Sequence, residues 1–485
     1  MISEKKLPII KTESKAYPVR VLQFGEGNFL RAFVDWIIDK MNKDLDFNAG
    51  VAVVQPIEKG MVDMLKVQQG LYTVNLKGIK SGEAVKEYFL VDCIRQLINP
   101  YEDFAAYLAQ AENPDLRFVI SNTTEAGISF EAEDTPDAQP PKGFPSKLTV
   151  FLHHRYRHFQ GSPDKGLILM PCELINYNAG QLKEIILRYA YLWKLEEGFV
   201  NWIENHNIFC NTLVDRIVPG FPRNTIREIQ EELGYIDNLV VEGEQFHLWV
   251  IEAPQQVKEE FPAHKAGLNV VFTDNMQPYR TRKVRILNGA HTAMVPVGLL
   301  YGLETVRETV DHEKTGKFIH QLIFDEIVPV LELPKDELEQ FAQDVLDRFR
   351  NPFVKHYLSS IALNSFSKFE TRVLPTIFEY NQDKAEYPKK LIFSFAAMIL
   401  FYRGEYEGQV LPLDDDEKII ETLKEAWGEY NGSDSSVEKI VETVFSMEEV
   451  WKKNLTRYQD LKNEVVKALL ELLSEGIKKT LDKYI

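Results

Sequence analysis

Residues 19–42 run VRVLQF, GEGNF and LRAFVDWIIDKMN without a break. The first six form a β-branched, apolar run suited to a buried strand. Two glycines follow at once, and Phe33, Ile37 and Met41 then recur at helical spacing. A strand that passes through glycines into an amphipathic helix opens a βαβ unit, which calls for a next strand parallel to the first. Suitable strands come in order: GVAVVQP (50–56), LRFVISN (116–122) and GLILMPC (166–172). Helical patterns such as YEDFAAYLAQA and SKLTVFLHHRYRHF lie between them. The alternation predicts a largely parallel sheet covered by helices. LVVEGEQFHLWVIEAP and LNVVFTD (268–274) read as later strands, with antiparallel pairing expected.

Near residue 276 the pattern changes to long amphipathic segments rich in Glu, Lys and Leu, such as DELEQFAQDVLDRF and DLKNEVVKALLELLSEGIKKTL. A chain of 485 residues exceeds one core, so the expected organisation is an α/β domain over 1–275 and a mostly α-helical domain over 276–485. The longest apolar stretch, LIFSFAAMILFY (391–402), is too short to span a bilayer and reads as a buried helix. NGSDSS (431–436) reads as a loop. The opening MISEKKLPIIKTESKAY lacks the apolar run of a signal peptide. Cys93, Cys172 and Cys210 form no CxxC pair, so reduced thiols and a cytoplasmic location are expected. A net charge of −17 argues against nucleic-acid and anionic-membrane partners. An anionic small molecule would need cations gathered locally.

Gly25 and Gly27 supply a G-x-G at the strand-to-helix turn, which lets backbone approach a dinucleotide pyrophosphate. Leu30 stands where a third glycine is usual, and the same residues also suit a plain tight turn. The second strand ends in Gln55 rather than a carboxylate. Its amide can still bond a ribose hydroxyl.

KVRILNGAHT (283–292) gathers Lys283, Asn288 and His291. On a regular helix they project at roughly 0°, 140° and 80°, a single broad face. That set suits carbonyl reduction. A partly dry lysine exchanges a proton with an alcohol, an amide N–H donates to a developing oxyanion, and a histidine orients either. The spacing equally suits a solvated helix face above a packed one formed by Ile286, Ala290, Met294 and Val297.

KVRILNGAH also has the K-x4-N-x2-H spacing of the polyol-specific long-chain dehydrogenases, the mannitol dehydrogenase family. LVDRIVP (213–219), FGEGNFLRAF, SNTTEAGI, RFRNP and SIALNSFSK resemble further segments of that family, in order, from residue 20 to about 375. The resemblance implies a Rossmann-type N-terminal domain, a helical C-terminal domain and metal-independent catalysis with NAD. It makes Lys283 the general acid for reduction and the base for oxidation, with Asn288 in the oxyanion hole and His291 in support. It implies cofactor contacts at Phe24, Gly25, Gly27, Asn28, Phe29, Gln55, Thr124 and Glu125.

QFGEGNFLRAFVDW, PCELI and RTRKVRILNGAHT are most similar to a uronate-reducing branch. That implies NADH-dependent reduction of the keto group of tagaturonate to altronate in hexuronate catabolism. Fructuronate, mannitol and arabinitol are the alternative substrates. Substrate contacts are expected at Asn178, Asp215, Lys368 and Arg372. Leu174 replaces the oxyanion asparagine of the polyol members, for which Asn176 or Asn178 can substitute. Ser360 stands where many polyol members have an arginine. A substrate carboxylate needs a cation besides Lys283. Lys368 is favoured, Arg372 is second, and Arg31 beside the glycine turn is a further candidate. A monomer and a homodimer are both compatible with the sequence. A sugar-acid sensor or a Schiff-base lysine enzyme would differ in class. The sensor needs no proton-transfer lysine, and the Schiff-base enzyme needs no dinucleotide turn.

Overall fold

In the computed structural model, residues 7–12, 15–80, 82–124 and 126–485 are described. The chain divides into two units. The first comprises the described residues up to Gly78 together with Val85–Met276, and the second comprises Ile79–Ala84 and Gln277–Ile485.

The near-continuous apolar runs of the first unit become one six-stranded sheet. Its strands are β1 (Val19–Phe24), β2 (Gly50–Val54), β3 (Ile94–Ile98), β4 (Phe118–Ser121), β5 (Ile168–Pro171) and β6 (Ile208–Phe209). Their order is β3-β2-β1-β4-β5-β6, and every pair is parallel. The four inner strands β2, β1, β4 and β5 are buried on both faces, which is why they lack polar alternation, whereas the edge strand β3 keeps it. Val21, Val51, Val53, Phe118 and Ile120 face Phe33, Ile37 and Met41 of the first helix. Leu22, Phe24, Ala52, Val54 and Val119 face Leu148, Phe151, Leu152 and Ile186 on the other side. This is the Rossmann-type strand order, whose direction of winding reverses between β1 and β4.

Strands that were not legible as apolar runs include β3, Tyr72–Lys80 and Glu83–Val91. Tyr72–Lys80 pairs in parallel with Val241–Glu244. The expectation of antiparallel pairing holds in part. Leu248–Glu252 is antiparallel to Asn211–Asp215 but parallel to Val270–Thr273. The helix Gln255–Glu260 lies in that connection and returns the chain to the same edge in the same direction.

The first helix is interrupted. Asn28–Leu30 and Trp36–Leu45 are α-helical, and Arg31–Asp35 between them is a π turn. Asp35, on that turn, is fully buried. Its Oδ2 accepts from Gln23 Nε2 at 3.3 Å and from the Tyr72 hydroxyl at 3.1 Å. Burial raises its carboxyl from 3.8 to about 7. Between these two values the folded carboxyl is protonated while the unfolded one is ionised, so unfolding releases a proton. Its contribution to stability is therefore full below about pH 4 and is lost as pH rises to about 7. Asp35→Asn should flatten the dependence of urea stability on pH between pH 5 and 7 by up to about 1.4 kcal/mol per unit. Equal slopes for variant and parent would assign that dependence to another group.

The second unit is built from helices. In Lys389–Phe401 every residue from Leu391 to Phe401 is buried, packed against Gln459–Glu475 and Ala290–Tyr301. No helix among the described residues is long and apolar enough to cross a membrane. NGSDSS is only partly a loop. Ser433 accepts from the Ser436 amide and caps the helix Asp434–Phe445, because a serine hydroxyl satisfies an otherwise unpaired first-turn N–H.

Candidate active site

In the first unit, the turn after β1 lies at the point where the sheet's winding reverses. Gly25 has φ +117°, and a Cβ there would stand 2.9 Å from the Asn122 carbonyl oxygen at the end of β4. Glycine is therefore required by both conformation and space. Gly27 differs. Its backbone is ordinary, φ −67° and ψ 171°, and a Cβ there would meet nothing within 4 Å. Gly27 has no side chain to cap the helix it precedes, and the first-turn amides Asn28, Phe29 and Leu30 have no intrahelical acceptor. Open space above unpaired amides at the positive end of a helix fits the pyrophosphate of a dinucleotide.

The neighbouring expectations divide. Phe24 is buried beneath the turn, its ring 4.9 Å from that of Phe144. Asn28 Oδ1 accepts from Arg31 at 2.8 Å, and Phe29 stacks on Phe33 at 5.0 Å. Arg31 is not a free cation. It is 1% exposed and donates to the Leu239 carbonyl as well as to Asn28, so it braces the helix from within. Gln55 is 3% exposed. Its Nε2 donates to the carbonyls of Ile57 and Glu58, and its Oε1 accepts from the Val62 amide. Those bonds shape the loop after β2 and use the amide that a ribose contact would need.

Thr124 is exposed, and its carbonyl accepts from Gly127. Glu125 lies outside the described residues. The segment leading into them is held by a residue the sequence did not single out. Glu173, two residues after β5, is 2% exposed. It accepts from the Ser121 hydroxyl and from both the amide and hydroxyl of Thr123, each at 3.0 Å. A carboxylate following a buried strand was the available signal, because a buried charge needs several donors.

Asn178 is fully buried. Its amide donates to the carbonyls of Pro171, Glu173 and Thr212, and its oxygen accepts from Thr212 and Ala179. It ties β5 to the strand Asn211–Asp215 and has no capacity left for substrate, which corrects the expectation of a substrate contact there. Leu174 is 60% exposed. Asp215 is buried at the end of its strand. Arg216 donates to the carbonyls of Ala32, Gln245 and Phe246 and lies 4.2 Å over the Trp36 ring.

In the second unit, Lys283–Gly289 is a second π turn, preceded by the helix Gln277–Arg282 and continued by Ala290–Tyr301. The regular-helix projection therefore needs correction. In a π turn, hydrogen bonds join residues five apart, so Lys283 and Asn288 stand one turn above each other. Flanking arginines fix the turn. Arg282 pairs with Glu337 at 2.6 Å, while Arg285 reaches Glu379 at 2.9 Å and Thr376 at 2.7 Å. Lys283 and Asn288 are both half-buried.

His291 stacks on Phe349 at 4.3 Å and meets His356 edge-on at 5.1 Å. Its Nε2 is buried without a hydrogen-bond partner. Burial, followed by the charges of His356, Arg348 and Arg372, holds its pKa well below the ordinary histidine value, so the ring is neutral. Lys368 and Arg372 share a face of the helix Ser365–Arg372. The Lys368 Nζ donates to the Ile361 carbonyl at 2.9 Å. Arg372 Nη1 lies 3.5 Å from the Thr292 hydroxyl, which itself donates to the Asn288 carbonyl at 2.9 Å.

The sequence matches the mannitol dehydrogenase Rossmann domain over residues 19–265 and the mannitol dehydrogenase C-terminal domain over 275–473. It is 49% identical to the altronate oxidoreductase of Bacillus subtilis (strain 168), with 96% of this chain and 95% of the relative aligned. It is 51% identical to that of Phocaeicola vulgatus, with 94% and 95% aligned. The Pseudomonas fluorescens mannitol 2-dehydrogenase, solved with NAD and D-mannitol, shares the fold at a TM-score of 0.61 and 21% identity, over 96% of this chain and 94% of that one. The chain belongs to the mannitol dehydrogenase family.

Proposed function

We propose that this protein is an NAD-dependent oxidoreductase that reduces the keto group of tagaturonate to give altronate, and catalyses the reverse oxidation. The carrying observation for the chemistry is the π turn over Lys283–Gly289, whose five-residue hydrogen-bond spacing brings Lys283 and Asn288 about one turn apart. The substrate rests on near-full-length similarity to altronate oxidoreductases at about half identity.

The Gly25–Gly27 turn and the amides of Asn28, Phe29 and Leu30 hold the pyrophosphate. When bound, the reduced nicotinamide supplies a hydride. Lys283 delivers a proton to the carbonyl oxygen as that oxygen gains charge, and takes it back in the oxidation direction. The Asn288 amide donates to the same oxygen, which it stabilises more in the transition state than in the ground state. His291 is neutral and stacked, so it positions substrate by hydrogen bonding and does not compete as an acid.

Tagaturonate, fructuronate, fructose and mannitol, each assayed with the nicotinamide cofactor in the matching redox state, test this reading. The highest kcat/KM is expected for tagaturonate with NADH. A clear preference for fructuronate or a neutral sugar would replace the substrate, and faster turnover with NADPH would replace the cofactor.

A further inference from the structure

Burial lowers the pKa of several arginines in this protein, and most have an acid that offsets the cost. Glu260 lies beside Arg20, Glu244 beside Arg216, Glu337 beside Arg282 and Glu379 beside Arg285. Arg372 is the exception among the described arginines that burial perturbs. Desolvation alone acts on its guanidinium, with no acidic neighbour among the described residues to compensate. Among the described residues, its one side-chain hydrogen bond is the long contact to Thr292. A desolvated cation without a counter-ion is costly unless a ligand supplies the missing charge.

The location matters as much as the charge. A Cβ on Gly289, within the π turn, would stand 3.0 Å from the Arg372 carbonyl oxygen. The helix carrying Arg372 therefore lies directly against the Lys283–Asn288 turn. The Arg372 charge acts on His291, and its guanidinium reaches Thr292, whose hydroxyl is bonded to Asn288. The other nearby cations are compensated. Arg348, which also acts on His291, is offset by Asp344 on its own helix. Lys368 has the charge of Asp415 nearby and donates to Ile361.

We propose that Arg372 is the carboxylate anchor of the substrate site, and that it selects a keto sugar acid over the neutral ketose of the same configuration. This rests on the uronate reading above. A planar guanidinium can take both carboxylate oxygens at once, and the pair forms where water is already partly excluded. A neutral hydroxymethyl group in that place leaves the cation unpaired, so the analogue is rejected.

The test compares kcat/KM for tagaturonate and for neutral tagatose, with saturating NADH, in the parent protein and in Arg372→Gln, Arg372→Lys and Lys368→Met. The parent should favour the acid. Arg372→Gln should cut the acid-to-neutral ratio by about 10²-fold, mostly through KM. Arg372→Lys should keep an intermediate ratio, because an ammonium keeps the charge and loses the bidentate pair. Lys368→Met should retain more of the ratio than Arg372→Gln. Unchanged ratios in both Arg372 variants, or a collapse only in Lys368→Met, would overturn the proposal and leave the uronate reading standing. A parent that favours tagatose would instead overturn the uronate reading and the anchor with it. If Arg372→Gln does not fold, Arg372→Lys decides: a reduced ratio supports the anchor, and the parental ratio rejects it.

Discussion

Lys283→Ala should lower kcat for tagaturonate reduction by ~10²-fold or more while KM changes little. The asymmetry follows from where the side chain acts. A proton delivered to the carbonyl oxygen matters only as that oxygen gains charge, so the lost interaction belongs to the transition state rather than to substrate binding. Arg282 and Arg285 hold the turn through Glu337, Glu379 and Thr376. Truncating Lys283 therefore leaves the anchors in place, and an unchanged thermal midpoint should accompany the loss. His291→Phe should cost less in kcat, since a neutral histidine stacked on Phe349 orients and does not donate charge. Near-parental kcat in Lys283→Ala would return the residue to an ordinary helix face.

Gly27→Val should abolish NADH binding and leave the fold intact. Gly25→Ala should do the reverse in emphasis, destabilising the protein first. The two glycines are separated by one residue but are required for different reasons. At Gly25 the positive φ and the Asn122 carbonyl both exclude a side chain. At Gly27 the backbone is permissive, and among the described residues nothing lies within 4 Å of an added Cβ. A β-branched side chain there is therefore expected to meet a bound ligand. Titration of NADH fluorescence together with thermal unfolding separates the two effects. Normal NADH binding by a folded Gly27→Val protein would move the pyrophosphate site elsewhere.

The four inner strands of the parallel sheet were legible because they are buried on both faces and therefore read as unbroken apolar runs. Tyr72–Lys80 was hidden by the opposite circumstance. Its buried Thr73 and Asn75 look like loop residues until Asp237 meets the Thr73 amide and Glu242 meets the Asn75 side chain, 164 and 167 residues away along the chain. Lys283, Asn288 and His291 were legible as a spacing, but the π turn was not. Hydrophobic periodicity reports which face is buried, not which carbonyl each amide chooses. Asn178 and Arg31 were misjudged for a related reason. Polar residues near a candidate site look available in sequence, and only the fold shows that backbone carbonyls already occupy them. Arg372 ranked behind Lys368 in sequence because a family match favoured the lysine. The absence of a counter-charge is a property of three-dimensional surroundings.

The most direct test of the account follows hydrogen from cofactor to product. The purified protein is mixed with tagaturonate and NADH deuterated at both C4 positions of the nicotinamide, and the product is read by NMR. Altronate carrying one deuterium, on the carbon that bore the keto group, with one NADH consumed per molecule formed, is the predicted result. Unlabelled altronate, a product of another configuration, or no NADH consumption with tagaturonate while a neutral ketose is reduced would contradict it.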